Sequence, residues 1–201
     1  MRKILLASIF VILATATLQA AQTLDVYFID VGHGDAVLLD CGSWEALIDA
    51  GGPSRYCPGL SGRPDDYGGV CIGCYMPLLR SLIDGELELA ILTHNHEDHF
   101  GGFSLVFEFL TTGEFLHGER LAPKNTADSF ETFLCRLAAQ SFILNPLTRG
   151  DRIQAGDLLV TTLNPAILEP YGTDHNHDSL VLLVEYGQVA FLLAGDIQTP
   201  T

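Results

Sequence analysis

The run Thr93-His94-Asn95-His96-Glu97-Asp98-His99 gathers three imidazoles and two carboxylates into six residues. Neutral imidazole and ionised carboxylate are donors that zinc, manganese and iron accept. In an extended segment side chains alternate, so His94 and His96 are expected to point the same way. Asp98 and His99 are adjacent and near a helix start, and are expected to diverge. One loop can therefore serve two metals. A solvated, His-rich turn is the plainer alternative for the same letters.

A loop of this kind has to be held by the elements on either side. It follows the mostly apolar Leu87-Glu88-Leu89-Ala90-Ile91-Leu92 without a spacer and is followed by Phe100-Gly101-Gly102. A short apolar run ending in a polar turn predicts a core strand whose C-terminal loop carries the chemistry. Upstream, Leu24 to Val31, the turn Gly32-His33-Gly34-Asp35 and Ala36 to Asp40 predict a hairpin, and Trp44 to Gly52 a third strand. Met76 to Ile83, with Pro77 in its first turn, reads as a short helix, Gly101-Gly102-Phe103 to about Phe109 as a second, and about Ala127 to Gln140 as a third. In the last of these, Phe130, Phe133, Leu134 and Leu137 recur at spacings of three and four. From Asp151 the pattern returns to strands, at 151–154, 158–163, 179–186 and 189–194, as a second strand-rich half.

The spelling His-x-His-x-Asp-His after a hydrophobic strand resembles the metallo-β-lactamase superfamily. That resemblance implies an α+β fold, an αββα sandwich of two similar halves with metals at one edge. The fragment Phe28-Ile29-Asp30-Val31-Gly32-His33-Gly34-Asp35-Ala36 is similar to the ComEC-type branch, the hydrolase-like domain of the competence DNA-uptake protein, where Gln usually stands in place of His33. The resemblance implies metal ligands at His94, His96, Asp98, His99, His175 and Asp196. His175 stands four residues before Ser179, His177 is its alternative, and Asp196 takes the place of the superfamily's metal-bridging Asp. Asp49 matches the residue that braces the metal loop from behind, although an Asp beside Gly51-Gly52 can also simply cap a turn. His33 is expected either to contact substrate and transfer protons, or to be a loop histidine bonded to backbone. The family's last His has no counterpart after Asp196, so the second half is expected to be incomplete, with an exposed sheet edge.

Length and composition fit one domain: 201 residues, 48% hydrophobic. Met1-Arg2-Lys3, an apolar stretch from Ile4 to about Leu18, and Ala20-Ala21 follow the order of a secretory signal. The expected division is a signal peptide at 1–20 and a hydrolase-like domain at 21–201, secreted or periplasmic, with membrane contact only through an uncleaved signal. The net charge of −15 becomes −17 once Arg2 and Lys3 are removed with no acid lost. Such a field argues against tight binding of long DNA, which requires Lys and Arg on the phosphates, but tolerates small or short phosphodiester substrates.

Of the five cysteines, Cys57, Cys71 and Cys74 sit in a Gly/Pro-rich insertion at 53–74 that could wall a substrate cleft. Cys71-Ile72-Gly73-Cys74 has no second Cys-x-x-Cys to complete a zinc ribbon, so a local disulfide from Cys57 to Cys71 or Cys74 is expected. Cys41 and Cys135 are expected to be buried small residues.

The expected function is metal-dependent hydrolysis using one or two Zn2+, with Mn2+ as a substitute. The metal acidifies bound water and holds the resulting hydroxide, and Asp98 orients it. A phosphodiester is the substrate that the branch implies. A secreted hydrolase of β-lactams or lactones and a non-catalytic metal-binding module are the competing expectations.

Overall fold

Short strands, the inner ones largely apolar, build the first sheet in a computed structural model that describes residues 23–53, 70–118, 129–140, 142–165 and 175–198. The strands β1 (Asp25–Phe28), β2 (Val37–Asp40) and β3 (Glu45–Ile48) form an antiparallel meander. The chain then crosses over through α1 (Met76–Leu82) and returns as β4 (Glu86–Leu92), parallel to β3. A one-turn helix α2 (Glu97–Phe100) and α3 (Phe103–Phe109) lead to β5 (Thr111–His117), parallel to β4. Helix α4 (Ser129–Ala139) leads to β6 (Ile143–Pro146), parallel to β5 at the sheet's edge. A second, four-stranded antiparallel sheet follows, with β7 (Arg152–Ala155), β8 (Leu158–Asn164), β9 (Val181–Tyr186) and β10 (Val189–Leu193) in the order β10-β9-β8-β7.

The alternation of side chains explains the layering. On β3, Leu47 faces the helices while Ala46 and Ile48 face the second sheet. On β4, Ala90 and Leu92 face the helices while Leu89 and Ile91 face the second sheet. Both faces of these strands are covered, so they read as nearly continuous apolar runs. Among the described residues the layers are therefore helices, sheet, sheet, in an α+β sandwich.

The helical layer is held largely by phenylalanine. Phe103 and Phe115 meet edge to face with centroids 5.3 Å apart, and Phe115 and Phe133 do the same at 5.7 Å. Phe100, next in sequence to His99, lies 5.2 Å from Phe130. Aromatic pairs of this geometry add about 0.5–1.5 kcal/mol each beyond their buried area. They pin α2, α3 and α4 directly beneath the histidine loop.

The four apolar residues expected on the third helix are all buried, on α4; residues 127 and 128 lie outside the described residues. Two strands were not anticipated. β5 carries Thr111, Thr112, Gly113 and Glu114 before its apolar end, and β6 has four residues with Pro146 at its close, so neither spells an apolar run. The thiol of Cys135 corrects an expectation: it is exposed, because it falls on the solvent side of α4 between Leu134 and Arg136. Cys41 is buried as expected. Strand β10 is an outer strand and leaves Val189 and Leu192 exposed. Among the described residues no helix is long and apolar enough to cross a membrane, and the segment 1–20 lies outside them.

Candidate metal centre

The loop after β4 is tied to the end of β3 by main-chain hydrogen bonds: Asp49 N–H to Ile91 O at 2.8 Å, Ala50 N–H to His99 O at 2.9 Å and Gly102 N–H to Gly51 O at 3.0 Å. This approach leaves no room for a side chain at residue 102, where a Cβ would run into the Ala50 carbonyl oxygen. Residue 34 is equally constrained. Gly34 has φ +86, and a Cβ there would run into the Asp98 carbonyl oxygen, so the β1–β2 turn sits flat on the histidine loop. The second sheet docks on the same place, with Leu180 N–H donating to Thr93 O at 2.8 Å. The turn after β10 then delivers Asp196.

Asp49 organises the interior of this cluster. It is fully buried and adopts φ 55, an unusual backbone conformation for a residue other than glycine. Its Oδ1 accepts from Thr93 N–H at 2.8 Å, and its Oδ2 accepts from the Thr93 hydroxyl at 2.7 Å and faces His99 Nδ1 at 2.7 Å. The Thr93 oxygen also lies 3.0 Å from His94 Nδ1. A hydroxyl has one proton, and here it goes to the carboxylate, so His94 Nδ1 must be the donor to Thr93. His94 then presents the lone pair of Nε2. By the same logic His99 donates from Nδ1 to Asp49 and directs Nε2 forward. One carboxylate thus sets the tautomer of two histidines, the arrangement that supports metal-binding imidazoles in general.

In front of Asp49 the donors converge. His94 Nε2 lies 3.1 Å from His96 Nδ1 and 3.9 Å from Asp196 Oδ2. The other oxygen of Asp196 lies 3.5 Å from His99 Nε2, and Asp98 Oδ2 is 4.0 Å from the same nitrogen. Donors about 2.0–2.1 Å from a tetrahedral ion are roughly 3.3 Å apart, so these separations suit a shared cation. His94, His96 and Asp196 form one group able to hold a metal ion. Among the described residues the buried His99 Nε2 has no hydrogen-bond partner, although it faces two carboxylates. A nitrogen left in that position fits a ligand for a second ion.

Asp98 and His99 do not diverge as expected. The single turn of α2 brings the Asp98 carboxylate within 4.0 Å of His99 Nε2, which itself faces Asp196. Burial lowers the affinity of His99 for a proton, but the hydrogen bond and charge of Asp49, followed by the charges of Asp196 and Asp98, outweigh it and push its pKa up to about 9. Without metal the imidazole therefore carries a proton at neutral pH, which an incoming cation must displace.

His33, on the β1–β2 turn, faces Asp98: its Nε2 lies 3.1 Å from Asp98 Oδ2, and its side chain is 62% exposed. His175 lies in a one-turn 3-10 segment, His175–Asp178, and its side chain is outside the described residues. His177 Nδ1 is directed to the carbonyl of Gln198 at 3.0 Å. Cys71 is disulfide-bonded and Cys74 is a free thiol, so the two are not linked to each other; Cys57 lies outside the described residues. Sequence reasoning passed over Thr93 and Asp35. Thr93 opens the histidine run and Asp35 closes the glycine turn, where it groups with Asp49 and His99.

A family model described as the metallo-beta-lactamase superfamily matches residues 24–200. The chain belongs to the metallo-beta-lactamase superfamily. Within that superfamily it is similar to ComE operon protein 3 of Bacillus subtilis (strain 168), at 26% identity over 178 residues, which are 87% of this chain and 22% of the relative. That similarity fits the ComEC-like branch. Among solved structures it is similar to a beta-lactamase from Chitinophaga pinensis, with TM-score 0.53, 17% identity and 88% of this chain on 60% of that one. It is also similar to MEM-A1, a subclass B3 metallo-beta-lactamase from a soil metagenome library, with TM-score 0.50, 16% identity and 86% of this chain on 60% of that one. At these identities the likeness shows the fold alone. The chain spans about a fifth of the curated relative and three fifths of these two structures. Its membership places it in a superfamily that includes metal-dependent hydrolases, with residues able to bind metal at the loop edge.

Proposed function

We propose that this chain is a metal-dependent hydrolase of small or short phosphodiester substrates, acting outside the cytoplasm. The observation that carries the proposal is the convergence of His94, His96, His99 and Asp196 around buried nitrogen lone pairs fixed by Asp49. In this reading His94, His96 and His175 would hold a first ion, Asp98 and His99 would hold a second, and Asp196 would contribute its carboxylate to the centre. Zn2+ suits this set of nitrogen and carboxylate donors, with Mn2+ as the substitute. When bound, the metal supplies acidified water and positive charge at the reacting centre.

The protein's own residues do the rest. Asp98 accepts a proton from the attacking water or holds it in line. His33, 3.1 Å from Asp98, exchanges that proton with solvent or with the leaving group. The acidic surface, with 25 Asp and Glu against 10 Lys and Arg, disfavours long polyanions and favours short ones whose charge a metal can offset. The ComEC-like similarity supports a phosphodiester over a carbonyl substrate, and the apolar segment near the N-terminus supports export.

The test is metal content per chain followed by turnover of bis(p-nitrophenyl) phosphate and a chromogenic cephalosporin, in the wild type, His94→Ala and His33→Gln. Phosphodiester turnover lost with the metal in His94→Ala, and reduced with metal retained in His33→Gln, is expected. Cephalosporin turnover alone would replace the substrate assignment. Stoichiometric metal with no turnover would replace the enzyme reading by a binding module.

A further inference from the structure

At the opposite end of β3 and β4 from the metal centre, a second pair of acids has no role in the chemistry above. Glu45 opens β3 and is fully buried, and neither of its carboxyl oxygens accepts a hydrogen bond from any N–H or O–H among the described residues. Its neighbour across the parallel pair is Glu88, whose Oε2 accepts the Glu45 N–H at 2.7 Å. Asp40 stands opposite Glu45 on β2, and Asp84 approaches from the turn before β4. The α1 side contributes the apolar Leu79 and Ile83 to the adjoining core.

Among the described residues no Lys or Arg pairs with these groups. Residues 23–53 and 70–118, which build β1 to β5, contain a single Lys or Arg, Arg80. Its guanidinium lies over the Phe109 ring, 5.8 Å from the centroid. Two adjacent carboxylates, one of them sealed from water, are strongly unfavourable without a counter-charge. Glu45 is fully buried while Glu88 is only partly buried and accepts the Glu45 N–H, so Glu45 is the member that burial drives to take up a proton. As an acid it also gains a partner, because its O–H can donate to the Glu88 carboxylate.

We infer that Glu45 and Glu88 share one proton, forming an acid–carboxylate clamp that ties the first turns of β3 and β4 together. The clamp lies on the two strands whose far ends present Asp49 and Thr93-His94, so losing it loosens the frame of the metal centre without touching a ligand. Burial, followed by the charges of Glu88, Asp84 and Asp40 and the hydrogen bond to Glu88, pushes the Glu45 pKa up to about 8 from 4.5. Between these values the folded chain binds a proton that the unfolded chain has released. Folding therefore weakens as pH rises through the window, by up to about tenfold in the equilibrium constant per pH unit, and the protonated clamp is gone above it.

The test uses the full chain in EDTA, so that the metal centre does not contribute. Urea unfolding of the wild type and Glu45→Gln is followed from pH 5 to pH 9. A Gln amide can donate to Glu88 at every pH, so the variant is expected to match the wild type near pH 5 and to exceed it at pH 9. Parallel pH profiles would overturn the inference. In a second readout, infrared spectra of the native wild type should show a carboxylic-acid carbonyl band at pH 6.5 that disappears near pH 8 and is missing in Glu45→Gln, which separates it from any proton on Asp49, whose carboxyl burial also pushes up. In Glu88→Gln, where the like charge is gone, the band should disappear at lower pH. No such band at pH 6.5 would overturn the inference, and so would restoration of wild-type stability at pH 9 by millimolar Ca2+ in place of EDTA, since a metal cation would then be the counter-charge.

Discussion

Replacing Asp49 by Asn tests the centre through a residue that is expected to touch no metal. The carboxylate accepts from three donors: Thr93 N–H on Oδ1, and Thr93 O–H and His99 Nδ1–H on Oδ2. Asn has one acceptor oxygen and one NH2. With the oxygen in the Oδ2 place, the NH2 faces Thr93 N–H; with the oxygen in the Oδ1 place, the NH2 faces both Thr93 O–H and His99 N–H. At least one charge-assisted bond is lost, about 1.5–3 kcal/mol, and a buried donor is left facing a donor, about 1–3 kcal/mol more. The metal-free variant should therefore be about 3–5 kcal/mol less stable. The consequence for metal is larger in kind. His94 is held through Thr93 and His99 directly: with the oxygen in the Oδ1 place both imidazoles lose the bond that fixes their tautomer, and with it in the Oδ2 place they keep an acceptor but lose its negative charge. Losses of this sort cost roughly 10–100-fold in affinity. Zn2+ competition against a chromophoric chelator at pH 7.5, with circular dichroism to establish folding, measures it. A folded Asp49→Asn chain with wild-type Zn2+ affinity would refute the reasoning.

Other outcomes follow from the same geometry. Because the His99 pKa is raised to about 9, Zn2+ uptake at pH 7 should release a proton from this site, and affinity should climb with pH until about 9; calorimetry in buffers of different ionisation enthalpy reads the proton count. In the absence of metal the sign is the reverse for stability: the His99–Asp49 pair stabilises the fold fully below pH 6.5, and its contribution is lost as pH rises toward 9. Phe103→Ala, in the phenylalanine layer under the loop, should cost about 3–5 kcal/mol in urea unfolding. Gly34→Ala should lower metal affinity, since its Cβ meets the Asp98 carbonyl, whereas Gly150→Ala, also at positive φ but with open space around it, should cost only about 1 kcal/mol of stability.

The parts of the fold that were legible in the chain are those whose signal is local. β4 announced itself by a mostly apolar run, and α4 by Phe130, Phe133, Leu134 and Leu137 on one face. β5 did not, because Thr112, Gly113 and Glu114 are tolerated in a central strand only through the neighbours that pair with them. The outward turn of Cys135 was equally invisible, since helix periodicity tells which residues share a face more reliably than it places a single small side chain at the border of that face.

The sequence by itself determined the donor set. His94, His96, Asp98 and His99 lie within six residues, and the chemistry of imidazole and carboxylate needs no tertiary information to suggest a metal. What only the tertiary structure decided is how those donors are aimed. Thr93 and Asp49, 44 residues apart, fix which nitrogen of His94 and His99 looks forward, and Asp196 meets those nitrogens from the turn after the other sheet. That choice depends on hydrogen-bond geometry to a few tenths of an ångström, which arises from strand register and close glycine packing. The burial of Glu45 is of the same kind: an acid at a strand start is unremarkable in a sequence, and becomes a proton site only when three other acids, and among the described residues no Lys or Arg, are folded around it.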